Sequence, residues 1–158
     1  MKKKMAIFGV LVALFLSVLI ICINVFEKHE AKIIRNIVSE NQAFKEINAR
    51  KDITFDDNIT LQNKAIDDLI SKLESEKHSK KIITKGLEEY VDYMIESMEN
   101  QKELNIALQN EHRCDIRDEK AYKECVNYRN IIKSKCDSSF NKANSVYKSI
   151  TGEDMIKK

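Results

Sequence analysis

Proline is absent from this 158-residue chain, and glycine occurs three times, at Gly9, Gly86 and Gly152. Turns of β proteins draw on both residues, and phosphate-cradling loops need clustered glycines. The scarcity argues against a turn-rich β fold and against a Gly-rich nucleotide loop. A net charge of one sign is also missing. Of the 27 basic residues, Lys2, Lys3 and Lys4 stand at the start, which leaves 24 against 25 acidic residues over residues 27–158. The two signs are interspersed, so no face is predicted to attract nucleic acid. Lys, Glu, Asn, Ile and Ser dominate instead, and a third of the residues are charged. Helices with solvated faces suit this mixture.

One stretch departs from that composition. Met5–Phe26 is 22 residues without a charge, with Ser17 and Asn24 its only clearly polar side chains. As a helix it would extend roughly 33 Å, the thickness of a bilayer's hydrocarbon core. The three lysines before it predict an N-inside orientation. Small residues Gly9, Ala13 and Ser17 recur every fourth position, the pattern of a helix–helix contact inside a membrane, although small residues also fall this way by chance. A cleaved signal is the competing reading, but no A-x-A-like pair precedes Glu27. A lipoprotein cut before Cys22 would need a small residue where Ile21 stands. The expected organisation is therefore a cytoplasmic tip (1–4), a signal-anchor span (5–26), a juxtamembrane helix (27–51), an extracytoplasmic helical domain (52–152) and a frayed tail (153–158). The compartment is the inner or plasma membrane, with residues 27–158 periplasmic or extracellular.

After the span the apolar residues recur at intervals of 3 and 4. Ile33, Ile34, Ile37, Val38, Phe44 and Ile47 continue the first helix. Asp52–Asn58 is an Asp/Asn-rich turn, with Asp57 or Asn58 as a cap. Its spacing does not match a Ca²⁺ loop. The next helix, about 59–75, carries Ile59, Ile66, Leu69, Ile70 and Leu73, and Ser79 is a candidate cap for the one after it. That helix, about 80–111, shows a heptad seam of Ile83, Leu87, Tyr90, Met94, Ser97, Gln101, Leu104 and Leu108. Gly86 within it suggests a close crossing or a bend. The last helix, about 118–150, is capped by Asp115 or Asp118, and Thr151-Gly152 is its stop. It buries Tyr122, Cys125, Ile132, Cys136, Phe140, Ala143, Tyr147 and Ile150. Each helix has a single stripe and needs neighbours to cover it. The expected fold is all-α, a single transmembrane helix continuing into an up-down antiparallel bundle. The alternative is an extended coiled coil that dimerises through the seam.

The cysteines outside the span are Cys114, Cys125 and Cys136. Eleven helical residues span about 16 Å, so Cys125 and Cys136 cannot pair within one helix. Cys114, in the loop, can fold back, and Cys114–Cys125 is the expected disulfide. Cys114–Cys136 needs a longer excursion, and reduced or intermolecular thiols are the remaining possibilities. His112, Cys114 and Cys125 could be imagined as three zinc ligands, but no fourth is apparent. His29, His78 and His112 fall in polar flanks, and Glu88, Asp92, Glu96 and Glu103 form a solvated face. No cofactor, small-molecule ligand or catalytic set is inferred, and the chain reads as non-enzymatic. The leading functional expectation is a structural or protein-interaction module of the cell envelope, with a protein partner or a second copy. A helical sensor or ligand-binding domain is the rival. A third reading rests on general layout alone, with no motif behind it: a short cytoplasmic tip, one span and an external helical rod, as in phage-type inner-membrane spanins.

Overall fold

The computed structural model describes residues 16–22, 25–26, 28–37, 39, 54–79 and 85–154. Among these the chain is all-helical, with no strand. Three long helices follow one another: α1 (Phe55–His78), α2 (Lys85–Arg113) and α3 (Glu119–Thr151). Residues 28–37 are helical as well and pack as a fourth, shorter member of the same bundle.

The caps explain where the long helices begin and end. Thr54 caps α1, accepting from the Asp57 N–H at 3.2 Å while its own hydroxyl donates to the Asp57 carboxylate at 2.6 Å. This reciprocal cap starts the helix earlier than the Asp/Asn cluster suggests, and Asp57 and Asn58 lie inside it. Ser79 closes α1, its N–H donating to the Ser75 carbonyl, and residues 80–84, the expected start of the next helix, lie outside the described residues. Asp118 caps α3 as expected, accepting from the Ala121 N–H at 3.1 Å. Gly152 ends it with φ of 74°, a left-handed conformation open to glycine at little cost.

Successive helices run antiparallel. Lys77 and Lys102 of the α1–α2 pair meet Asp92 and Asp67, so residues late in α1 face residues early in α2. In the α2–α3 pair, Lys142 meets Glu96 and Arg129 meets Glu111. At Gly86, a Cβ would come within 3.3 Å of Ile150, so α2 crosses the end of α3 closely there, as its glycine suggests.

The core occupies one end of the bundle. Ile34 and Ile37 meet Ile66, Leu69 and Leu73 of α1, Leu87, Tyr90, Val91, Met94 and Met98 of α2, and Ala143 and Tyr147 of α3. Fully burying one such aliphatic side chain contributes about 1.5–3 kcal/mol, so this cluster is the principal apolar contribution at this end. The opposite end, around the α2–α3 hairpin, buries Ile59, Ala107, Ile132 and Cys136 together with the polar Asn105 and Ser139.

The seam is only half as expected. Leu87, Tyr90, Met94 and Ser97 are buried, but Gln101, Leu104 and Leu108 are half-buried. Ile83 lies outside the described residues. A second row on α2, Val91, Met98 and Asn105 at spacings of seven, is buried instead. The reason is position: α2 is the central helix and must face both α1 and α3. The buried seam is covered by the chain's own helices, and the arrangement is a bundle, not the extended coiled coil.

No helix among the described residues is long and apolar enough to cross a membrane. Of the expected span, residues 5–15 and 23–24 lie outside the described residues. Residues 16–22 and 25–26 are helical, and their side chains are exposed. Of the expected juxtamembrane helix, residues 27, 38 and 40–51 lie outside the described residues, as do residues 155–158 of the expected tail.

Candidate functional site

Two places in the bundle gather chemistry. The first is the α2–α3 hairpin. Backbone bonds shape its loop: Cys114 N–H donates to the Asn110 carbonyl at 3.0 Å, and Asp118 N–H to the Asp115 carbonyl at 3.0 Å. Asp115 also accepts from the Arg117 backbone and guanidinium. The folded-back loop brings the Cys114 and Cys125 sulfurs to disulfide distance, the pairing expected from helix geometry. That bond consumes both thiols that a zinc site with His112 would need as thiolates. His112 instead packs on Phe55, ring centroids 4.8 Å apart.

Polar pairs tie this end together. Asp56, in the first turn of α1, accepts from Gln109 at 3.1 Å and from Arg113 at 3.0 Å. The Arg113 hydrogen bond holds the Asp56 carboxyl below the usual range. Asn105 donates to Asn63 at 2.8 Å and accepts from Gln101 at 3.2 Å. Asn100 donates to Ser139 at 3.1 Å. Tyr128 donates to Glu103 at 2.8 Å, which pushes its phenol pKa upward. Glu111 and Arg129 approach to 3.1 Å beside a cleft of about 310 Å³, whose walls include Phe55, Leu108 and Tyr122. Ile116 lines it too, although the residue is 76% exposed.

The second place is a cleft of about 450 Å³ between residues 28–37 and the later half of α1. Ile33, Ile37, Leu69 and Leu73 form its aliphatic walls, and His29, Asn36, Lys72 and Glu76 stand among its polar lining. His29, three residues past Phe26 in the sequence, lines this cleft together with Ser75 and Glu76 of the last turn of α1.

The remaining expected residues are dispersed. Ser17 is helical and exposed, while Gly9 and Ala13 lie outside the described residues. Cys136 is a buried thiol whose pKa burial pushes up, the environment of a packing residue and not a nucleophile. The acids of α2 face cations of neighbouring helices: Glu88 and Asp92 face Lys77, and Glu96 faces Lys142. Sequence reasoning missed Asn63, Asn105, Asn100 and Ser139. The heptad spacing of Val91, Met98 and Asn105 was the available signal for one of them.

No family model matches this chain, and neither a curated protein nor a solved structure matches it.

Proposed function

We propose that this protein is a single-pass, membrane-anchored helical bundle that serves the cell envelope as a structural or protein-interaction module. The observation that carries the reading is the run from Leu16 to Phe26. Its described large apolar side chains (Leu16, Val18, Leu19, Ile20, Ile21, Val25 and Phe26) are all exposed on helical backbone, whereas the exposed large apolar residues elsewhere, such as Leu61, Ile106 and Ile131, stand singly along their helices. Exposure of this many contiguous apolar residues calls for a partner, and the uncharged run extends back to Met5, long enough for a bilayer. A disulfide at the hairpin suits an oxidising compartment outside the cytoplasm. The Lys triplet sets the N-terminus inside.

A reporter active only outside the cytoplasm, fused after Lys158, tests the topology. Activity together with retention of the membrane fraction through an alkaline wash supports the anchor. A mature form beginning near residue 27 overturns it. Crosslinking in native membranes, followed by identification of the linked protein, tests the interaction role.

The 450 Å³ cleft favours one second reading, a helical ligand-binding domain. Its volume falls in the range of small-molecule sites. A rise in melting temperature with a bound molecule is the expected sign, because a ligand held only by the native state stabilises it.

A further inference from the structure

We infer that the cleft between residues 28–37 and α1 receives an acyl chain of an anionic membrane phospholipid, with the lipid's phosphate against the basic outer face of residues 28–37. The inference rests on the single-span reading above and adds a site outside the span.

Position comes first. His29, on the cleft, is three residues beyond Phe26, the last residue of the apolar run. Three residues cover at most about 11 Å in any conformation, so the cleft lies close to headgroup level if residues 5–26 span the bilayer. A lipid is then the molecule present there at the highest local concentration.

The walls come second. Ile33, Ile37, Leu69 and Leu73 are aliphatic and offer no hydrogen bond, which suits a hydrocarbon tail, while the polar part of the lining, His29, Asn36, Lys72, Ser75 and Glu76, is left for a headgroup. Ile37, Leu69 and Leu73 are buried, while Ile33 is half-buried, so part of its side chain remains accessible. A tail that moves from the bilayer to this cleft exchanges one apolar surrounding for another, with no hydration cost.

Charge comes third and selects the headgroup. Lys28, Lys32 and Arg35 are exposed, whereas Glu30, the acid among residues 28–37, is turned inward and buried. The outward face is therefore cationic although the local sequence alternates in sign. Basic side chains beside a span attract anionic lipids and discriminate against zwitterionic ones. Lys72 and His29 stand on the rim beside a single acid, Glu76.

The test uses the full chain in vesicles of phosphatidylcholine and phosphatidylglycerol. A trace of phosphatidylglycerol carries a photoactivatable group on its acyl chain. Peptide mapping after illumination is expected to find label in three places: residues 5–26, residues 28–37 and residues 69–76. Ile33→Trp fills the opening, and should cut labelling of the two bundle peptides at least fivefold while residues 5–26 stay labelled. Replacing Lys28, Lys32 and Arg35 together by Gln keeps the core intact, and should abolish a preference of at least threefold for the phosphatidylglycerol probe over its phosphatidylcholine analogue. Label confined to residues 5–26 overturns the cleft and leaves the anchor standing. A preference unchanged in the Gln variant overturns it as well. A chain that stays off the vesicles, with no label on residues 5–26, overturns the anchor itself and the cleft with it.

Discussion

The two ends of the bundle hold together by different means. At the end where residues 28–37 pack, four helical segments meet over aliphatic and aromatic side chains, with Glu30 and Ser97 buried beside them. At the hairpin end, amides, carboxylates and a disulfide join α1, α2 and α3, with few large apolar residues between them. Burial is non-directional and tolerates sliding, whereas an amide pair or a disulfide is satisfied in one register. The first end therefore supplies stability, and the second fixes the alignment of the helices.

The largest expected effect breaks the apolar end. Leu87 is fully buried, so Leu87→Asp places an unpaired charge in the core and should abolish the cooperative thermal transition of the domain. Leu87→Ala should cost about 2–5 kcal/mol in denaturant unfolding. Leu104→Asp, on the half-buried part of the same seam, should leave the domain folded. Equal behaviour of Leu87→Asp and Leu104→Asp would mean that the two ends do not differ.

Next is the hairpin. Replacing Cys114 and Cys125 together by Ser should cost about 2–3 kcal/mol by freeing a short loop in the unfolded chain. Mapping of the unreduced protein should find residues 114 and 125 in one linked species, with Cys136 alkylated only after unfolding. Native alkylation of Cys114 would refute the disulfide.

Asn105→Leu is a finer probe of register. It strands Asn63 and should cost about 1–3 kcal/mol, more than the same change at the exposed Asn110. A neutral or stabilising result would show that the amide pair specifies alignment without adding stability.

The smallest effects are in pH. Burial raises the Tyr90 phenol well above its ordinary value, so the folded state holds that proton more tightly than the unfolded chain. Stability from this group is intact below pH of about 10 and falls as pH rises beyond it. Tyr90→Phe should flatten that alkaline slope. At the other end Asp56 is shifted downward by Arg113, so its contribution is present above the unfolded carboxyl pKa and is lost as pH falls through the folded one. Asp56→Asn should weaken the acid slope slightly and reduce its sensitivity to salt.

Much of the fold was legible in the order of residues. Of the expected α1 row Ile59, Ile66, Leu69 and Leu73 are buried and Ile70 is half-buried; of the α3 row Ile132, Cys136, Ala143 and Tyr147 are buried, while Tyr122, Cys125, Phe140 and Ile150 are half-buried. Helical periodicity is local, and one buried stripe suffices for a helix with neighbours on one side. The Cys114–Cys125 pairing was legible in part: the rise of a helix excludes Cys125–Cys136, and the fold-back of the loop chose Cys125 over Cys136 as the partner of Cys114. The start of α1 was misplaced, since two competing caps, Thr54 and Asp57, stand within one turn.

The sequence by itself determined the helical class, the antiparallel order that short connections impose, the Gly152 stop of α3 and the uncharged run at the start, and it narrowed the disulfide and the α3 N-cap to a few candidates. These follow from chain stiffness, periodicity and composition, which act over a few residues. Only the tertiary structure decided that α2 is central and buries two rows. It also decided that Glu30 turns inward, leaving a cationic face beside the apolar run, and that amides close the hairpin end while aliphatic side chains close the other. Those outcomes depend on which surfaces meet across the bundle, and no local pattern encodes a neighbour that lies tens of residues away.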